Sequence, residues 1–118
     1  MAARRFERAI KLLEDIELRD DAEEARQRRL LLKLTLNIGH CYIKFQWFKK
    51  ACLALQRSLE IEPGNPKALY RMGKAKLALA NYEEARRFFI KAQSVSDDPA
   101  IGRELANLDR TLKAGFIF

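Results

Sequence analysis

The sequence predicts an all-α fold, a superhelical stack of helix–turn–helix repeats closed by a C-terminal capping helix. Three observations carry this expectation. First, three prolines and five glycines in 118 residues are too few for a turn-rich β fold. Second, Leu, Ala, Lys, Arg and Glu dominate, and all five are good helix formers. Third, the chain repeats itself at a shift of 34 residues. Leu36 then falls on Tyr70, Ile38 on Met72, Gly39 on Gly73 and Ile43 on Leu77. Phe48 falls on Tyr82, Ala51 on Ala85, Leu55 on Phe89 and Ser58 on Ala92. Large apolar residues meet large ones and small meet small, as stacked pairs of antiparallel helices require.

The helices follow in order. The first spans about 2–18, with Phe6, Ile10, Leu13 and Ile16 near helical spacing. The second spans about 22–45, longer than a repeat needs because "DDAEEARQRRLL" extends it. The third spans about 47–61 and stops at Pro63-Gly64-Asn65-Pro66. The fourth spans about 66–80, with Pro66 pre-set for a first turn, and Asn81 is expected to make the tight turn after it. The fifth spans about 82–95. The sixth opens on Asp98 as cap with Pro99 behind it and runs to about Gly115. One domain, 1–118, is expected. Residues 1–20 are the second helix of a partial first repeat, 22–63 and 66–97 are whole repeats, and 98–115 form the closing helix. Where helix axes cross, Gly39 and Gly73 are expected to supply the small residue on the first helix of each pair, and Ala51 and Ala85 on the second.

The net charge of +7 is uneven. Residues 66–95 alone carry +5, and residues 96–118 carry −1. Such asymmetry points to an acidic partner for one face. Lys67, Arg71 and Lys74 stand at i, i+4 and i+7, on one side of the fourth helix. One repeat earlier, Lys33, Asn37, His40 and Lys44 keep the same spacing. Lys76 points elsewhere and is expected in solvent. No Cys/His/Asp cluster surrounds His40, so no metal is expected. No nucleophile triad, phosphate loop or carboxylate pair stands out, so no catalytic residue, cofactor or enzymatic activity is expected. Cys41 and Cys52 read as buried small residues in a reducing compartment. No apolar run approaches membrane-spanning length, and the N-terminus is too charged for a secretory signal, so a cytoplasmic location is expected.

The slots Thr35, Ile38, Gly39, Tyr42, Ala51, Leu55 and Pro63, then Leu69, Met72, Gly73, Lys76, Ala85 and Phe89, resemble the tetratricopeptide (TPR) repeat. Thr35 and Lys76 are the departures, since the pattern wants large or aromatic residues there. The long second helix, Asn37, Cys41-Tyr42, Lys44, Lys67-Ala-Leu-Tyr-Arg71 and Gly73 resemble, more narrowly, the TPR domain of FK506-binding-protein (FKBP) immunophilins. A finer likeness is to their germline, Shutdown-like class, whose isomerase domain looks inactive, which would imply a place in the piRNA pathway. The resemblance implies a co-chaperone module that binds the acidic C-terminal peptide of Hsp90, or of Hsp70, through a two-carboxylate clamp. Asn37, Lys67 and Arg71 match three of its five positions. The other two are expected upstream of Met1. Lys33, His40 and Lys74 are added to the peptide-binding set by spacing.

Two alternatives accompany this reading. "KFQWFKKA" mixes rings with lysines, which makes RNA the runner-up partner. The favoured account is that Phe45, Trp47 and Phe48 serve packing at the turn. Self-association is expected through the truncated N-terminal face or through Phe116-Ile117-Phe118.

Overall fold

The structure, a computed structural model, describes residues 2–15 and 21–114. Ile16 and the Gly115–Phe118 tail of the preceding section lie outside the described residues. Six helices follow one another: α1 (Ala2–Asp15), α2 (Asp21–Lys44), α3 (Phe48–Ile61), α4 (Pro66–Ala78), α5 (Tyr82–Val95) and α6 (Pro99–Lys113). No strand occurs among the described residues. Each helix packs on its neighbours in the chain, and α2 also touches α4, so these two share an inner row. The stack measures 55 × 30 × 20 Å.

Local chemistry sets the helix ends. Asn65 accepts a hydrogen bond from the Ala68 N–H at 2.9 Å, with Pro66 opening α4. Asp98 accepts one from the Ala100 N–H at 2.9 Å, with Pro99 opening α6. The added turns of α2 serve its neighbours. Gln27 donates to the Leu13 carbonyl near the end of α1. Arg28 donates to the Ile61 carbonyl at the end of α3, at 3.0 Å. The long helix therefore satisfies carbonyls that helix ends leave open.

The tight turns depart from expectation. Asn81 does not take the left-handed conformation; Ala80 does, at φ 63°, and Gln46 does so one repeat earlier, at φ 61°. Both turns close with the same bonds. The Trp47 N–H reaches the Tyr42 carbonyl at 2.8 Å, and the Asn81 N–H reaches the Lys76 carbonyl at 2.9 Å. This closure reverses the chain in the fewest residues, and it fixes which residue must sit at positive φ.

The core forms two clusters. One gathers Ala3, Ile10, Ile38, Tyr42, Ala51, Ala54 and Ala75. The other gathers Leu69, Ala85, Phe89, Ala92, Ile101, Leu105 and Leu108. Gly39 backs onto Leu55 and Gly73 onto Phe89, both fully buried side chains. Cys41 and Cys52 are free thiols, half-buried rather than buried, packed against the first cluster. Burial pushes the Cys52 thiol up, away from reactivity. Phe48 packs half-buried and Trp47 lies against the buried Tyr42 ring, centroids 5.8 Å apart, but Phe45 and Trp47 stay 54% and 43% exposed, so packing accounts for only part of those two rings.

Thr35, the poorest match to the repeat pattern, is 1% exposed. Its single hydroxyl proton is shared between the Leu31 and Leu32 carbonyls, at 2.9 and 3.0 Å, and its oxygen accepts from the Ser58 hydroxyl at 2.7 Å. One repeat on, Leu69 and Ala92 occupy the two places. A small polar pair thus replaces a large-plus-small apolar pair. Thr35→Val keeps the shape but leaves the Ser58 hydroxyl only its long contact to the Ala54 carbonyl, at 3.4 Å, and is expected to cost about 1 kcal/mol. Thr35→Val with Ser58→Ala should recover part of that loss. Urea melts of both variants beside the unaltered protein check it, and three equal stabilities would show that the pair contributes nothing.

Candidate functional site

The inner row presents the residues singled out by spacing. On α4 the Asn65 cap and Pro66 fix the first turn, so Lys67 projects from it, exposed, and Arg71 follows one turn later. Arg71 is half-buried, and its Nη1 donates to the Leu36 carbonyl of α2 at 3.2 Å. Burial lowers its pKa from the usual arginine value, and the group stays charged. His40, exposed on α2, is held below the usual histidine range by burial and then by the Arg71 and Lys44 charges. Arg71 and His40 therefore belong to one electrostatic site. Asn37 is half-buried beside Leu36, and Lys33 lies one turn earlier, exposed. Lys74 leans along α4, its Nζ 5.7 Å from the Tyr70 ring centroid.

The ion pairs among the described residues join Arg57 to Glu14, Lys76 to Glu84 at 2.8 Å, and Arg86 to Asp109 at 2.9 Å. None engages Lys33, Lys67, Arg71 or Lys74. The inner row therefore carries cations without counter-ions, and one of them is partly desolvated. Such a surface attracts carboxylates, and a guanidinium tethered at one nitrogen keeps the rest of its donor fork for them. The Leu36 tether escaped the sequence reading because a backbone carbonyl has no residue signature.

Lys76 corrects an expectation. It is not a solvent lysine; it is half-buried and paired with Glu84, whose hydrogen bond raises its pKa. The reason appears in the repeat. Tyr42 occupies the same place 34 residues earlier, and Lys50 stands where Glu84 does. Lys50 Nζ sits 5.7 Å from the Tyr42 ring centroid. The contact recurs with its chemistry changed, from cation over ring to ion pair.

Two clefts open away from the inner row. One of 270 Å³ includes Ile10, Ile38, Tyr42 and Leu53, and one of 380 Å³ includes Cys52, Met72, Lys76 and Phe88. Neither contains a candidate peptide-binding residue. No group of three or more His, Cys, Asp or Glu is placed to hold a metal among the described residues. Nor is any described helix long and apolar enough to cross a membrane.

The tetratricopeptide repeat family pattern matches residues 48–108, just over half of the chain. The chain belongs to the tetratricopeptide repeat family. Relatives lie among FKBP-type immunophilins, through their TPR region. The inactive peptidyl-prolyl cis-trans isomerase shutdown of Drosophila melanogaster is 37% identical over 95 residues, 79% of this chain and 21% of that protein. Peptidyl-prolyl cis-trans isomerase FKBP42 of Arabidopsis thaliana is 45% identical over 80 residues, 67% of this chain and 22% of its own. The TPR chain thus spans about a fifth of the length of these relatives. In structure it resembles the C-terminal TPR-containing domain of an FK506-binding protein from Plasmodium falciparum. The TM-score is 0.87 at 25% identity, covering 97% of this chain and 77% of that one. The TPR stack is a unit for holding other proteins rather than a catalytic one.

Proposed function

We propose that the inner row is part of a carboxylate clamp for the acidic C-terminal peptide of a cytoplasmic Hsp90 or Hsp70 chaperone. The observation that carries this reading is Arg71, a half-buried guanidinium with no carboxylate partner among the described residues, tethered between α2 and α4 by the Leu36 carbonyl. Lys67 adds charge one turn away, and Asn37 adds an amide from the neighbouring helix. These three take three of the five clamp positions. Lys33, His40 and Lys74 line the path of the rest of the peptide. In this reading the two whole repeats are 22–63 and 66–97, and the parent protein carries an isomerase-like domain, inactive if the Shutdown likeness extends that far, with the piRNA pathway as its setting.

A terminal carboxylate is the distinguishing ligand feature. Calorimetry with a free-acid peptide ending in Asp, against its C-terminally amidated twin, is the test. Amidation is expected to weaken binding about tenfold or more, since it removes a charge-assisted contact. Equal affinities would sink the reading.

His40 supplies a second handle. In the free protein, burial and then the Arg71 and Lys44 charges hold its pKa below the usual histidine value. A carboxylate bound beside Arg71 offsets the cations that depress it, so the pKa rises on binding. Binding then takes up protons, and affinity climbs as pH falls into the range where His40 titrates. Titrations across that range, with His40→Gln as the flat comparison, check the sign.

A further inference from the structure

We infer that the α2–α3 turn is a second binding surface, and that its ligand is single-stranded RNA. Three observations converge there. Phe45 and Trp47 are 54% and 43% exposed, with ring centroids 5.8 Å apart and planes tilted by 35°. Trp47 rests against the buried Tyr42 ring, centroids 5.8 Å apart, yet both exposed rings keep much of their area in water, and two neighbouring rings offer stacking faces to bases. Lysines surround them. Lys44, Lys49 and Lys50 flank the rings in the chain, and Lys50 Nζ sits 5.1 Å from the Trp47 ring centroid. No ion pair among the described residues engages these three lysines. Finally, no carboxylate occurs between Glu24 and Glu60, a stretch that holds eight Lys and Arg. An open cleft of 430 Å³, lined by Gln46, Trp47, Phe48, Lys49, Lys50 and Leu79, lies at the same edge.

Charge complementarity selects a polyanion, and the exposed rings select one that carries flat bases. A duplex hides its bases, so the strand must be single. The left-handed Gln46 matters here because it reverses the chain between Phe45 and Trp47 and so sets both rings at the same corner. Apart from Lys44, which closes the α2 row, this surface shares no residue with the peptide clamp, and each can fail without the other.

Trp47 is the only tryptophan in the chain, so its emission reports this surface alone. The probe is an oligouridylate of about 12 nucleotides, long enough to cross both rings. Stacking is expected to quench Trp47 emission, with saturation matching fluorescence-anisotropy binding of the same oligomer. Phe45→Ala removes an exposed ring and should weaken binding fivefold or more, while Phe45→Tyr restores it. Three lysines limit the salt slope to about −2. Arg71→Glu should leave the quench unchanged. Heparin or polyglutamate bound as tightly as the oligomer would overturn the RNA assignment in favour of any acidic polymer. Undiminished binding by Phe45→Ala, or binding without quenching, would overturn the stacking surface.

Discussion

Gly73→Ala is expected to cost about 1–3 kcal/mol, although a lone methyl group on a helix normally stabilises it. A Cβ at Gly73 would meet the Phe89 ring at 2.6, 2.8 and 2.9 Å, closer than carbon atoms pack. The ring cannot step aside cheaply. Phe89 is fully buried, and its centroid lies 5.9 Å from that of Tyr70. Gly73→Leu should be worse, because the whole α4–α5 crossing must open. Gly39→Ala is expected to act in the same direction and more mildly. Its Cβ would meet Leu55 Cδ2 at 2.7 Å, and the end of a leucine can rotate. Gly102→Ala is the internal comparison. It too lies inside a helix, yet its Cβ would find only the Gln93 amide nitrogen at 3.8 Å. That change should stabilise by roughly 0.5–1 kcal/mol through lost backbone freedom in the unfolded chain. Thermal melts should therefore move in opposite directions for one and the same substitution. If Gly73→Ala and Gly102→Ala shift Tm alike, the crossing is not where the structure puts it.

Arg71→Glu is expected to reduce affinity for the acidic peptide by about thirtyfold or more, the scale of breaking a desolvated charge contact. The change removes the donor fork, loses the Leu36 tether and sets a carboxylate against the incoming one. Arg71→Lys keeps the charge but not the fork, and should fall between the two. The comparison must change net charge equally without touching a structural pair. Lys76→Glu does not qualify, because it would set like charges beside Glu84. Lys91→Glu does: Lys91 is exposed on α5, leaning over the Phe88 ring at 5.7 Å, away from the inner row. It should alter affinity less than threefold at moderate salt, where distant charges are screened. Calorimetry on all three, with melting curves to confirm folding, decides the matter. Equal losses for Arg71→Glu and Lys91→Glu would reduce the interaction to general attraction for anions.

Much of the architecture was legible because it is encoded in local or periodic signals. Asn65-Pro66 and Asp98-Pro99 each start a helix by chemistry confined to a few adjacent residues. The 34-residue recurrence of Gly39 and Gly73 reports a crossing, although the side chains they admit are the large Leu55 and Phe89, where the small Ala51 and Ala85 were expected. The candidate residues were legible in the same way. Lys67, Arg71 and Lys74 share a helix side through their spacing, and α2 and α4 share a row because the repeat stacks them.

The departures lie where a residue's partner is distant in the chain. Thr35 looked like a flaw in the pattern until Ser58 supplied its hydrogen bond from another helix. Lys76 looked like a solvent lysine until Glu84 met it from α5. Ala80, not Asn81, took the strained turn position, because the closing hydrogen bonds fix which residue must reverse the chain. Phe45 and Trp47 read as packing rings, and the geometry of the corner leaves each partly in water, even with Trp47 resting against Tyr42. The sequence by itself determined the helix type, order and repeat of this chain, since backbone hydrogen bonds and side-chain periodicity act over a few residues. The tertiary structure alone decided which polar and aromatic groups are satisfied and which stay free to bind. A group's desolvation and partners depend on what the folded chain brings against it.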